Sequence, residues 1–270
     1  MLRWCTWNLW AIGPDLGART DAARAALIEV APDLCCLQEV RADATVDVAA
    51  ELAEALGLHV GRGRAVGAEW WSDRVGLDLR VDNVLLSRWP IEELAVVELP
   101  CRDGVAERRA ATLARVETPD GPVRVASVQL SSSPLDPVVR SEQLITLATA
   151  LVDHRREDET VLVAGDLNAE PDSDEVRRFC GHKAAPAVDG FVVLDLWRYA
   201  DDADPGWTWD RANPHVRATR EPSSRIDHLL AGPTPAGLIP EVRSVDRFAC
   251  AAVDGVWASD HAGVVAEIEL

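Results

Sequence analysis

Asp166 and Asn168, separated by one residue, form the pair in this sequence best suited to chemistry. A carboxylate and an amide held together can fix a water or an anionic group beside a metal. They follow the apolar run 161–164 and Gly165, which reads as a buried strand delivering them to its carboxyl end. If the extended geometry continues to residue 168, both side chains share one face. Asn8, Glu39, Asn83, Gln129, Asp227, Asp260 and His261 occupy the same kind of position, at or just beyond the end of an expected strand. Turn chemistry explains any one of them. Acids, amides and a histidine at successive strand ends together suggest a shared polar site.

Several elements must position these groups. Residues 2–10 read as a strand with Leu2, Trp4, Thr6 and Asn8 on one face and Arg3, Cys5, Trp7 and Leu9 on the other. A helix is expected over 21–30, stopped by Pro32, and 34–40 restarts as a strand ending in Gln38 and Glu39. A second amphipathic helix over 43–56 is closed by Gly57. Residues 61–80, rich in Gly, Arg, Asp and Trp, lack a period and read as a loop or irregular hairpin exposing Trp70 and Trp71. Strands follow at 83–87, 95–99, 112–118 and 123–130, the last two joined by the turn Pro119-Asp120-Gly121-Pro122. A helix over 138–153 precedes the 161–164 strand, and a short one over 172–180 starts at Ser173. A long polar loop over 200–225 leads to a strand through Asp227, and residues 259–270 form the last strand. Strands outnumber helices and several are joined by hairpins, which favours two packed sheets flanked by helices. No linker or repeat divides residues 1–270, so one domain is expected.

Composition narrows the function. With 45 acidic against 27 basic residues the formal charge is -18, which disfavours broad nonspecific binding of nucleic acid. Lys183 is the single lysine, so a Walker-type phosphate loop is absent and a phosphate clamp would use arginine forks. The six cysteines show no paired zinc spacing, and Cys5, Cys35 and Cys36 lie in apolar stretches. No signal peptide and no run long enough to span a bilayer is evident, so a reduced, cytoplasmic setting is expected.

The segments TWNL (6–9), LQEV (37–40), NVLLSRWPI (83–91), GDLNAEPDS (165–173), RIDH (225–228) and SDHAGV (259–264) resemble, in order and spacing, the endonuclease/exonuclease/phosphatase superfamily. That superfamily includes DNase I-like nucleases, apurinic endonucleases, sphingomyelinases and inositol polyphosphate phosphatases. The resemblance implies an α+β fold, a four-layer α/β/β/α sandwich with two central mixed sheets and the site at one rim. It implies phosphoester hydrolysis assisted by Mg²⁺ or Mn²⁺. Carried over residue by residue, Glu39 is the principal metal ligand, supported by Asn8 and Asp260, an all-oxygen set suited to a hard cation. Asp166 positions or deprotonates the attacking water. Asn168, with Asn83 and Arg109, serves the phosphate. His261 stabilises charge on the phosphate, with Asp227 orienting its ring and favouring its protonated form.

The sequence departs from the family pattern at two site positions. Gln129 stands where many relatives carry a histidine, and an amide donates a hydrogen bond without transferring a proton near neutral pH. Trp10 replaces a frequent acidic residue. Arg108 and Arg109 fall where relatives place an arginine near the site, and surface charge is their other reading. His215, in the loop before RID, is expected as a partial substitute for the missing histidine, whereas His228 points away and reads as structural. Trp207 and Trp209 read as scaffold or as a platform for a substrate ring. A phosphoester substrate is expected, whether a small molecule, nucleotide, lipid headgroup or nucleic acid, with no obligate protein partner. The contrasting expectation is a catalytically reduced binding module that retains the fold and the metal pocket.

Overall fold

The computed structural model describes residues 1–63, 72–73, 76, 78–102, 104 and 108–270. The expectation of exposed Trp70 and Trp71 lies outside them. In chain order the elements are β1 (Leu2–Asn8), α1 (Leu16–Val30), β2 (Leu34–Ala42), α2 (Val48–Leu56), β3 (His59–Gly63) and β4 (Arg80–Ser87). Then come β5 (Ile91–Leu99), β6 (Arg109–Thr118), β7 (Gly121–Gln129), α3 (Pro137–His154), β8 (Thr160–Asp166) and α4 (Asp174–Cys180). The chain continues with β9 (Leu194–Asp195), a 3₁₀ turn (Leu196–Tyr199), α5 (Pro214–Thr219), β10 (Asp227–Ala231), β11 (Glu241–Phe248) and β12 (Gly263–Glu269).

The strands form two mixed six-stranded sheets, ordered β11-β12-β1-β2-β4-β3 and β5-β6-β7-β8-β10-β9. The period-2 pattern of β1 decides which layers it joins. Leu2 and Trp4 meet Ala114, Val125 and Leu162 of the opposite sheet, while Cys5, Trp7 and Leu9 pack outward against Ala23, Leu27 and Leu52 of α1 and α2. The other sheet buries Val128 and Val163 against Leu144, Leu147 and Leu151 of α3 and Phe179 of α4. This is the expected α/β/β/α sandwich. A polar rivet crosses its centre: the Gln38 amide accepts from the Thr6 hydroxyl at 3.2 Å and donates to Ser127 Oγ of the facing sheet at 3.1 Å.

Where the elements differ from expectation, local chemistry gives the reason. Helix α1 begins at Leu16, ahead of 21, because Arg19 buries its guanidinium and donates to the carbonyls of Leu9, Trp10 and Pro14. Those bonds tie the helix start to the loop after β1, and apolar periodicity does not register them. Strands β3, β9 and β11 lie at or beside sheet edges, where little is buried and the alternation is weak. Residues 200–225, expected as loop throughout, contain α5, capped by the Asn213 side chain accepting from His215 N at 3.0 Å. Ser173 caps α4 as expected, accepting from Val176 N at 3.4 Å.

Candidate active site

Strand register sets the first row of the site. In the β7–β8–β10 group, Gln129 stands opposite Asp166, and Asp166 stands opposite Asp227, so three polar side chains end three adjacent strands. Gly165 permits this closeness. Its backbone has φ +152°, and a Cβ there would lie 1.9 Å from the Val128 carbonyl oxygen.

The facing sheet contributes Asn8 and Glu39 by a different device. Leu37 pairs with Val84 and Val40 with Asp82, so Gln38 and Glu39 together oppose Asn83 alone. This is a β-bulge, with Glu39 in the left-handed region at φ 53°. The bulge turns the Glu39 carboxylate toward the rim, where it accepts from the Gln129 amide at 2.7 Å, from Ala11 N at 3.2 Å and from the Asn8 amide at 3.4 Å. Trp10 (φ 53°) and Asn168 (φ 47°) share this backbone region, so three strained non-glycine residues surround one cleft.

Asp166 and Asn168 do come together, but through a turn. The extended geometry expected to continue to Asn168 stops at Asp166, and the left-handed Asn168 folds back on it. Its backbone N–H donates to Asp166 Oδ1 at 2.9 Å and its amide to Oδ2 at 3.2 Å. The Asn8 and Gln129 amides reach the same Oδ2 at 3.0 and 3.3 Å. Asp166 is buried, which pushes its carboxyl up to about 6, reinforced by the charge of Asp227 and opposed by His261.

His261 and Asp227 form a buried pair, with Nδ1 2.8 Å from Oδ2. Burial opposes charge on the ring, yet the charge and hydrogen bond of Asp227, with Asp166 and Asp260 nearby, hold His261 well above its ordinary value. The imidazole is therefore a cation at neutral pH, with Nε2 left for a ligand. Its supports come from residues that sequence reasoning did not assign to the site. Thr208 Oγ1 accepts from the backbone N–H groups of Ile226 and Asp227, both at 3.1 Å, and Ser259 Oγ accepts from His261 N at 3.1 Å. Ser259 also donates to the Asn8 carbonyl at 2.6 Å, coupling the two ends of the chain. Trp209, expected as scaffold or stacking platform, sets its ring edge-on to His261 with centroids 5.0 Å apart. The WTWD and SDH strings were the available signals for Thr208 and Ser259.

These groups line an open cleft of about 310 Å³, with Trp10 and Trp209 in its wall. Asn8, Glu39, Arg109, Gln129, Asp166, Asn168, Asp260 and His261 all reach it. Asp227 stands behind His261. Asn83 is directed elsewhere: its amide donates to the Ala110 carbonyl at 2.6 Å, clasping β4 to β6 of the other sheet. Arg109 donates to Gln129 Oε1, so the amide in the histidine position is fixed by a cation and presents its N–H groups to Glu39 and Asp166. His215 packs its ring against Trp10, centroids 4.8 Å apart, outside the residues lining the cleft. His228 is buried, with Nε2 2.9 Å from the Ala169 carbonyl and Nδ1 3.2 Å from Arg225.

The donor set fits a hard divalent cation. Burial pushes the Asp260 carboxyl up to about 7, with Glu39 adding repulsion and His261 opposing it. Glu39, Asp166, Asp227 and Asp260 thus concentrate negative charge that oxygen-preferring cations relieve. Among the described residues, the acid and imidazole atoms that converge within 4.8 Å belong to Asp166, Asp227 and His261. A protonated imidazole cannot ligate, and its Nδ1 is engaged by Asp227, which favours the Glu39 and Asp260 end for a cation.

The sequence model of the Endonuclease/Exonuclease/phosphatase family matches residues 5–261. No curated protein matches the chain significantly. Among solved structures, an endonuclease/exonuclease/phosphatase from Beutenbergia cavernae DSM 12333 is similar at 27% identity and TM-score 0.70, over 100% of this chain and 71% of that one. A D. rerio TDP2 complexed with single strand DNA product is similar at 19% identity and TM-score 0.75, covering 98% and 97% of the two chains. The Bacteroides vulgatus endonuclease/exonuclease/phosphatase shows 18% identity and TM-score 0.72 over 100% and 98%. At these lower identities the likeness is one of fold. With both sheets and the family's motif order in place, the chain belongs to the endonuclease/exonuclease/phosphatase family, whose members are phosphoester hydrolases.

Proposed function

We propose that this protein is a divalent-metal-dependent hydrolase of phosphoesters, a phosphodiesterase, phosphatase or nuclease. The observation that carries the reading is the convergence, in one cleft, of a buried carboxylate and a carboxylate-held imidazolium beside the Glu39–Asp260 oxygen cluster. Glu39, Asn8 and Asp260 are the residues that would hold Mg²⁺ or Mn²⁺, which when bound supplies Lewis-acid stabilisation of phosphoryl charge. Asp166, ionised above about pH 6, accepts the proton of the attacking water. Its four amide and N–H donors fix the direction from which that water attacks. His261 donates from Nε2 to a phosphoryl oxygen, and Asp227 keeps it cationic. Arg109 serves the phosphate at the cleft wall, whereas Asn168, expected to do the same, has both amide hydrogens taken by Asp166 Oδ2 and the Leu130 carbonyl and acts by fixing Asp166. Gln129 does no proton transfer. It holds Glu39 and Asp166 in register, and the leaving group takes its proton from solvent.

The acidic surface argues for a substrate engaged locally, such as a small phosphodiester or a nucleic-acid end, over a long duplex. The D. rerio relative, complexed with a single-strand DNA product, makes a single-stranded terminus the first nucleic-acid substrate to try. The test is a screen of chromogenic phosphodiesters, phosphomonoesters and single-stranded oligonucleotides with Mg²⁺, Mn²⁺ or EDTA. Turnover requiring metal, and lost in Glu39→Ala and Asp166→Asn proteins that fold normally, is expected. No turnover with either metal, or full activity of Glu39→Ala, would overturn the proposal.

A further inference from the structure

A second, larger concavity of about 580 Å³ lies beside α4, and it shares no lining residue with the candidate active site. The two are close neighbours. Arg225 lines this one and Ile226 the cleft, while Pro171 lies three residues beyond Asn168. Their walls differ in sign. The cleft concentrates carboxylates, whereas this pocket gathers Arg177, His182, Lys183, Arg198 and Arg225 against Asp172 and Asp195.

Asp195 is already neutralised. Arg225 grips it with two hydrogen bonds, at 2.6 and 3.2 Å, and both side chains are buried. Arg177 has an exposed pairing to Asp174 at 3.6 Å, of the kind that contributes little. Arg198 and Lys183, the single lysine of the chain, have no carboxylate partner among the described residues, although acids outnumber bases by 45 to 27. The fields of these two cations converge: burial and then the charges of Arg198 and Lys183 hold His182 below its ordinary value. The Arg198 guanidinium lies 3.4 Å from His182 Nε2. With Asp195 held by Arg225, Lys183 and Arg198 outweigh the one remaining lining carboxylate, Asp172, and in a protein of net charge -18 a concavity of positive sign is a binding feature rather than general surface charge. The floor is apolar, formed by Pro171, Val176 and Cys180. A cavity of this size, with an apolar floor and a few convergent polar groups, suits a small organic ligand.

We propose that this pocket binds a small organic phosphate of nucleoside-diphosphate size. Lys183 and Arg198 contact its phosphoryl groups, Arg177 closes the rim, and the organic part rests on Pro171 and Val176. Binding here requires neither hydrolysis nor a metal, so it stands or falls apart from the reaction assigned to the cleft.

The test is calorimetric titration of ADP into the intact protein in EDTA. Saturable binding is expected. The double variant K183E/R198E changes two exposed side chains and should retain the fold by circular dichroism. It should weaken ADP by about a hundredfold, roughly tenfold for each cation removed from the phosphoryl groups. Glu39→Gln, in the cleft, should bind ADP as the unmodified protein does. No binding at millimolar ADP, or affinity unchanged in K183E/R198E, overturns the proposal. Loss of binding in Glu39→Gln also overturns it, by placing the ligand in the cleft. A single-stranded oligonucleotide binding through Lys183 and Arg198 where ADP does not would assign the pocket to a nucleic-acid strand and refute it.

Discussion

Gly165→Ala tests how the fold brings the site together. The added Cβ would stand 1.9 Å from the Val128 carbonyl oxygen, whereas real Cβ atoms essentially never come within 3.0 Å. Strand β7 must therefore recede from β8 by about 1.1 Å, or the backbone must leave φ +152°. Overpacking of this kind costs about 1–3 kcal/mol, and the unfavourable φ adds about 1–3 more. A loss of about 4 kcal/mol is expected, which for a chain of this size lowers the melting temperature by about 10 °C. Because Val128 pairs with Gly165 and Gln129 with Asp166, the same displacement opens the Gln129–Asp166 contact. A misplacement of about 1 Å there should reduce turnover about a hundredfold. Gly232→Ala is the control, since its Cβ would meet Val161 at an ordinary 3.5 Å and should change stability by less than about 0.5 kcal/mol. Chemical and thermal unfolding of both proteins decides the matter. A Gly165→Ala protein as stable as its Gly232→Ala counterpart would refute the steric account of the β7–β8 junction.

Two further predictions concern the histidines. Asp227→Asn removes the charge that sustains the His261 imidazolium and leaves burial acting against it. The native ring loses its proton only as pH rises past its elevated value, so the variant ring should be neutral at much lower pH by NMR titration. Turnover near neutrality should fall about 10²–10³-fold; an unchanged ring titration would defeat the assignment. His228 behaves in the opposite sense, because burial and then the charge of Arg225 lower it to about 4. The unfolded chain takes up the proton near pH 6.5, so the stability His228 contributes is present above that pH and lost as pH falls toward 4, amounting to about 3 kcal/mol. His228→Gln, which can keep both hydrogen bonds, should lose stability less steeply over that window in urea titrations. Equal slopes for the two proteins would contradict this.

The legible parts of the sequence were those with strong local periodicity or a motif. The alternation in β1 named both of its faces correctly, because Leu2 and Trp4 face one layer and Cys5 and Trp7 another. The edge strands β3, β9 and β11 were silent, since each buries only one or two side chains and so carries little apolar rhythm. Arg19 shows a different limit. Its bonds to the carbonyls of Leu9, Trp10 and Pro14 start α1 early, and no pattern of apolar residues reports a buried guanidinium.

By itself the sequence determined the family, the layered fold and the roster of polar residues near strand ends, because these depend on residue type and order. Tertiary structure decided how Asp166 and Asn168 are joined. Extended backbone would have placed them side by side on a strand, but Asn168 turns into the left-handed region and donates to Asp166 through its N–H and its amide. It also decided that Asn83 clasps β6 instead of reaching the cleft, and that Gln129 bridges Glu39 and Asp166 under the hold of Arg109. These outcomes follow from a bulge, a turn and the register of strands distant in the chain. Each is fixed by which backbone groups find partners across the sandwich, a property of no single segment.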